Sequence, residues 1–249
     1  MNLKGSTAVV TGGASGIGNA ILKKVAAAGA KVVCADIDEA AGVKAAEEIK
    51  GSGGEAIFIR LDITNGQAIK DFAAQVIEQT GGISMLINAA GGGGGIEPFA
   101  TSDPDEFDWN VSLNYTGPVK LTHALLGSIT ESGNGNIVYI SSDAGRVGSS
   151  GESVYAGGKG GVIAFTKSLA REVARAQVNV NCVSPGPTDT PLLRTRPEKL
   201  VEAFEKAIPF RRFATPDDIA NAVLFFTAPE SSYITGQVLS VSGGLTMSD

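Results

Sequence analysis

Histidine is almost missing from this chain: His123 is the only one in 249 residues. That scarcity argues against a Ser-His-Asp triad and leaves a zinc site of the usual His/Cys composition without its ligands, so no metal is expected. Cysteine is scarce as well. Cys34 and Cys182 are the only two; one disulfide is arithmetically possible, but a reduced, cytoplasmic protein is the expectation. No apolar run reaches the roughly 18 residues that a membrane span needs, and the opening Met1-Asn2-Leu3-Lys4-Gly5 lacks the apolar stretch of a secretory signal. Charge is thin. Charged residues make up 18% of the chain, the net charge is −6, and no basic block stands out, which argues against nucleic-acid binding.

What the chain does have is apolar residues, 43%, enough for a large core, and 33 glycines. The glycines follow no three-residue period. They cluster, as in loops where backbone approaches a ligand closely. Short β-branched runs at 7–10, 31–36, 55–60, 85–88, 136–141, 178–183 and 237–241 alternate with helical patterns at 17–28, 40–50, 68–79, 104–128, 154–175 and 216–228. Strands of about six residues separated by helices of ten or more predict βαβ units and a parallel sheet. The expected fold is a single doubly wound α/β Rossmann domain over residues 1–249, with a seven-stranded parallel sheet and helices on both faces. The proline-rich segment at about 187–213 interrupts the alternation and reads as a lid near the strand ends.

After the first strand comes Thr-Gly-Gly-Ala-Ser-Gly-Ile-Gly, residues 11–18. Gly12, Gly16 and Gly18 let backbone approach a pyrophosphate, and a helix opening at Ser15, Gly16 and Ile17 offers unpaired N–H groups to it. The alternative is a tight strand–helix turn. The acid closing the next strand, Asp36, suits the two adenosine ribose hydroxyls of NAD and would repel the 2′-phosphate of NADP; a helix cap is its other reading. No basic residue adjoins it, since Ile37 follows. Asp62-Ile63, after the third strand, falls where an adenine ring would lie, or is an ordinary loop.

The fifth strand ends in Ser141-Ser142, and Tyr155 and Lys159 follow in a helical pattern. Their i,i+4 spacing puts them on one face, one turn apart. A tyrosine titrating near 10 is a poor base at neutral pH, and lowering it to about 7 takes about 4 kcal/mol. A cation about 4 Å away supplies roughly that at an effective dielectric of about 20; Lys159 is such a cation, and oxidised nicotinamide would be a second. The bland reading is a surface tyrosine packed along a lysine stem, with Ser142 capping a turn.

Taken in order, these motifs resemble the short-chain dehydrogenase/reductase family along essentially the whole chain. Residues 11–18 resemble its TGxxxGxG loop, and Asn88-Ala89-Ala90-Gly91 resembles its NNAG, with Ala89 in place of the second Asn. Asn114, Ser142, Tyr155 and Lys159 fall on its catalytic tetrad; Pro185-Gly186, Thr188 and Thr190 match its nicotinamide segment. The resemblance implies that Tyr155 passes a proton to or from the substrate oxygen, Ser142 hydrogen-bonds that oxygen, and Lys159 holds the nicotinamide ribose. It also implies that Asn114 helps hold a proton-conducting water chain, that Asn88 and Ala89 support the cofactor, and that Thr188 and Thr190 hold the carboxamide. A homotetramer is the family's usual assembly.

The substrate end is less legible. Segment 194–212 carries Arg194, Arg196, Lys199, Lys206, Arg211 and Arg212 against three glutamates, so a positive lid could attract an anionic substrate; a solvated helix is the alternative. Arg146 is a further candidate anion contact. Residues 141–152, 186–190, 197–200 and 234–247 resemble the family's dehydrogenases of alicyclic 2-hydroxyacyl-CoA thioesters. The expectation is therefore an NAD-dependent dehydrogenase acting on a secondary alcohol, with a β-hydroxyacyl-CoA as leading substrate. The rivals are a 3-oxoacyl thioester reductase and a non-catalytic nucleotide-binding regulator.

Overall fold

The computed structural model describes residues 1–93 and 95–247; Gly94, within the 91–95 glycine run, and the last two residues of the expected domain lie outside them. The chain alternates strand and helix in the order β1 (Thr7–Thr11), α1 (Gly16–Ala27), β2 (Lys31–Asp36), α2 (Glu39–Gly51), β3 (Ala56–Arg60), α3 (Gly66–Thr80) and β4 (Met85–Asn88). The second half follows as α4 (Phe107–Val111), α5 (Gly117–Glu131), β5 (Asn136–Ile140), α6 (Asp143–Val147), α7 (Ser153–Glu172) and β6 (Asn179–Pro185). It closes with α8 (Pro191–Arg194), α9 (Glu198–Ala207), α10 (Pro216–Thr227) and β7 (Val238–Val241). Among the described residues the strands form one sheet of seven in the order β3-β2-β1-β4-β5-β6-β7, and every pairing is parallel. The order reverses between β1 and β4, which opens a crevice at the carboxyl ends of the strands.

Period-two alternation sends side chains to both faces. From β1, Ala8 and Val10 join Ile21, Leu22 and Val25 of α1 and Ile219, Val223 and Phe226 of α10. Val9 joins the opposite layer with Phe72 of α3, Leu121 and Leu125 of α5, and Val162 and Leu169 of α7. Each fully buried Leu or Ile contributes about 1.5–3 kcal/mol, so two such layers hold the sheet rigidly beneath the crevice.

One expected element differs. The helix read over 104–128 is broken into a 3₁₀ turn at Pro104–Glu106, α4, a wide π turn at Ser112–Thr116, and α5. Pro118, in the first turn of α5, has no N–H to bond the carbonyl four residues back and crowds it. Gly117 packs so closely on the segment after β3 that a Cβ there would sit 2.3 Å from the Ile63 carbonyl oxygen. The ladder widens there, and Asn114 is carried on the wide turn.

Candidate active site

At the carboxyl edge of the sheet lies a cleft of about 480 Å³, lined among others by Ile17, Ala89, Ser142, Tyr155, Lys159, Pro185, Gly186, Thr188 and Thr190. Two ends of the chain thus meet across it: a Cβ on Gly16 would touch the Thr190 methyl at 3.5 Å.

The glycine loop is built for close approach. Gly12 has φ +67° and Gly16 φ +51°, a region that favours glycine. A Cβ on Gly18 would lie 2.0 Å from the Gly12 carbonyl oxygen, so helix and loop can meet there only through glycine. Ser15 is the N-cap of α1 but makes no side-chain cap bond, and the first turn has no acidic residue. The N–H groups of that turn are therefore open to an anion. The Thr11 hydroxyl accepts from the Ala89 and Ala90 N–H groups at 3.0 and 2.9 Å, tying the loop to the end of β4.

Asp36 closes β2. Its carboxylate accepts from the Ala14 N–H and the Asp38 N–H, both at 3.0 Å, while Asp38 itself caps α2. Asp36 is thus aimed into the glycine loop with acceptor capacity left over. The sheet register sets Arg60 of β3 opposite it, a cation that adjacency in sequence did not reveal. Asp62 accepts from the Thr64 N–H and hydroxyl, the geometry of a loop aspartate, and Ile63 beside it is buried. Asn88 is buried at the end of β4; its amide donates to Thr122 at 3.4 Å, and its Oδ1 has no partner among the described residues. Cys34 and Cys182 are both buried and free. His123 is exposed on α5.

At the catalytic end, Ser142 caps α6 and accepts from the Ala144 N–H at 3.2 Å. Its neighbour Asp143 is 5% exposed and accepts from Ser240 at 3.0 Å and from Thr246, pinning the serine's helix to β7 and the tail. Lys159 lies one turn beyond Tyr155, with its ammonium 5.8 Å from the ring centre and donating to the Ile140 carbonyl at 2.9 Å. Without the cofactor's charge, burial dominates the phenol. Burial pushes Tyr155 up to about 12, with Ser142 and Arg196 pulling against it and Glu152 adding to it. Burial dominates because the Lys159 ammonium is turned toward a carbonyl and is itself lowered to about 8 by burial.

Asn114 is fully buried. Its amide donates to the Gly92 carbonyl at 2.8 Å and to Asn110, and its Oδ1 accepts from the Gly92 N–H at 3.1 Å. It braces Gly92 against α4. A Cβ on Gly91 would fall 2.7 Å from Lys159 Nζ and 3.1 Å from Asn114 Oδ1, so this glycine, Asn114 and Lys159 are packed as one unit.

The lid carries less free charge than its composition suggests. Arg194 is bidentate on Asp189, 3.0 Å on each arm, and is not among the cleft-lining residues. Arg212 pairs with Asp218 at 2.7 Å and Lys206 with Glu202 at 3.6 Å. Arg146 stands on α6, but the cleft wall there is formed by its neighbours Ala144 and Val147. Of the three expected anion contacts only Arg196 faces the cleft, beside Glu152. Asp143 and Glu152 fall in the 141–152 stretch that the resemblance singles out, but the sequence gives neither a role of its own; an acid directly after a strand-end serine is the one signal for Asp143.

Residues 12–246 match a family model described as enoyl-(acyl carrier protein) reductase. A 3-oxoacyl-[acyl-carrier-protein] reductase FabG of Thermotoga maritima is 35% identical, covering 99% of this chain and 100% of its own. The (2S)-[(R)-hydroxy(phenyl)methyl]succinyl-CoA dehydrogenase subunit BbsD of Thauera aromatica is 34% identical, covering 99% of both. Among solved structures, that of gox2181 superposes with a TM-score of 0.95 at 31% identity, covering 98% of this chain and 96% of the other. Among the described residues no helix is long and apolar enough to cross a membrane.

Proposed function

Because the chain belongs to the short-chain dehydrogenase/reductase family of oxidoreductases, we propose that it is an NAD-dependent dehydrogenase acting on the carbinol carbon of a β-hydroxyacyl thioester. The observation that carries this reading is that Ser142, Tyr155 and Lys159 line one cleft together with Ile17 of the glycine loop. The nicotinamide, when bound, supplies the hydride acceptor or donor. The chain's own residues do the rest. The open N–H groups at the start of α1 hold the pyrophosphate, and Asp36 accepts from the adenosine ribose. Asp62 and Ile63 border the adenine, Asn88 and Ala89 support the cofactor at the end of β4, and Thr188 and Thr190 hold the carboxamide. Lys159 gives its ammonium to the nicotinamide ribose, Tyr155 gives or takes the proton on the substrate oxygen, and Ser142 donates to that oxygen as charge develops.

Support for a thioester comes from the names of relatives, one a 3-oxoacyl thioester reductase and one a dehydrogenase whose substrate joins a hydroxy group to a CoA thioester. The reductive direction is the second reading, favoured by the first of these. NAD is preferred over NADP because Asp36 points into the loop, although Arg60 across the register weakens the exclusion. A cytoplasmic homotetramer is part of the same reading; exposed Phe99, Trp109, Phe210 and Tyr233 offer apolar surface for it. The test is Tyr155→Phe: turnover of secondary alcohols, followed by nicotinamide absorbance, is expected to vanish while NADH binding by fluorescence titration persists. Retained turnover would remove the tyrosine from the reaction.

A further inference from the structure

Arg196 differs from the other lid cations that make ion pairs. Arg194, Lys206 and Arg212 are paired outside the cleft, whereas the Arg196 side chain turns inward and is only 15% exposed. Its partner Glu152 is 18% exposed, and the two stand 4.0 Å apart, beyond hydrogen-bond reach. Glu152 is held by its own neighbour, since the Ser149 hydroxyl donates to its other oxygen at 2.8 Å. A planar fork of five N–H donors thus lies mostly out of water against a carboxylate too distant to satisfy it.

The pair converges with the reacting centre. A Cβ built on Gly93 would lie 3.7 Å from Arg196 Nη2, 3.7 Å from Glu152 Oε1 and 3.7 Å from Tyr155 Cδ2. Glycine leaves that spot empty, so a guanidinium nitrogen, a carboxylate oxygen and the edge of the Tyr155 ring border one space about a methyl wide. A substrate whose carbinol sits at Ser142 and Tyr155 has room there for its next one or two carbons. A small neighbouring hollow shares Gly93, Glu152 and Tyr155 with the cleft, and Glu97, Asp103 and Glu106 are among its other lining residues. Such walls disfavour a carboxylate, but they impose no such repulsion on a neutral carbonyl.

We propose that Arg196 is a specificity-determining residue that donates to the neutral carbonyl oxygen of a substrate thioester, and that Glu152 beside it discriminates against the corresponding free acid. This rests on the reading above, in which the alcohol is oxidised beside Tyr155. A guanidinium hydrogen bond to a neutral acceptor fixes the acyl chain in one orientation, and the fixed Glu152 cancels the long-range attraction that Arg196 would otherwise exert on any anion.

The experiment compares three alcohols with NAD: a 3-hydroxybutyryl thioester of N-acetylcysteamine, free 3-hydroxybutyrate, and 2-butanol, which lacks a second oxygen. Arg196→Met is expected to lower kcat/KM for the thioester at least tenfold more than for 2-butanol. Glu152→Gln is expected to raise kcat/KM for the free acid relative to the thioester by tenfold or more. A non-turnover arm uses Tyr155→Phe loaded with NADH and titrated with the acetoacetyl thioester; adding Arg196→Met is expected to weaken binding by tenfold or more. Should Arg196→Met fold poorly by thermal melt, Arg196→Lys and Glu152→Gln carry the test. Equal losses for thioester and 2-butanol would place Arg196 at Tyr155 rather than at the substrate and overturn the inference, leaving the dehydrogenase reading intact. Absence of turnover by the wild type on all three alcohols would overturn that reading and the inference with it.

Discussion

Replacing Lys159 by methionine separates what the site costs from what it does. The ammonium is buried, 4% exposed, and donates to the Ile140 carbonyl. Burial lowers it from 10.5 to about 8. The folded protein therefore releases this proton near pH 8, whereas the unfolded chain keeps it to about 10.5. Between those values the unfolded state binds more protons, so stability rises with pH across that window, and below pH 8 the whole cost is carried. The gap corresponds to about 3 kcal/mol. Methionine fills a similar volume and does not titrate. The unpartnered Ile140 carbonyl adds an offset of about 1–3 kcal/mol that does not change with pH. Urea unfolding of wild type and Lys159→Met, cofactor-free and at equal protein concentration, is expected to show the variant's relative stability falling by about 3 kcal/mol from pH 7.5 to 10.5. Turnover should be lost throughout. A stability difference that stays constant across this range would show that burial does not tax the lysine, and the account of the site's electrostatics would fail.

Three further outcomes follow from contacts described above. Gly91→Ala forces a methyl to within 2.7 Å of Lys159 Nζ; overpacking of about 1–3 kcal/mol should lower the melting temperature by several degrees and turnover by more than tenfold, read by calorimetry and nicotinamide absorbance. Asp143→Ala strips the acceptor from Ser240 and Thr246; at about 1.5–3 kcal/mol for each charged bond, denaturant unfolding should register a loss of about 3–6 kcal/mol, and a change under 0.5 kcal/mol would refute the pinning role. Asp36→Ala should cut the ratio of kcat/KM for NAD over NADP by tenfold or more, and an unchanged ratio would count against its contact with the ribose.

How much of this was legible in the chain depends on range. The glycine loop, Asp36, Ser142 and the Tyr155–Lys159 pair could be read because strand-end position and i,i+4 spacing are local. The sheet followed from alternation, since each strand is a short apolar run. Arg60 beside Asp36 could not be read, because strand register decides it. Asp143 could not either: its partners are 97 and 103 residues away. The net positive count over 194–212 misled because pairing with Asp189, Glu202 and Asp218 is invisible to a tally of signs. The orientation of the Lys159 ammonium was not legible for a related reason: spacing gives proximity to Tyr155, but the Ile140 carbonyl decides where the ammonium points. The break at 112–116 was signalled by Pro118, whose effect lands one turn upstream.

That break has a bearing on how the protein can be altered. A wide turn holds one residue more than an ordinary helical turn, so Ser112–Thr116 absorbs an extra residue while keeping α4 and α5 nearly in phase. Deleting a single residue there would let the ladder close at regular spacing and remove the widened turn that carries Asn114. Both helices would keep their sequences and most of their propensity to form, yet the Asn114 amide would rotate away from Gly92. The segment is therefore more tolerant of exchange than of a change in length.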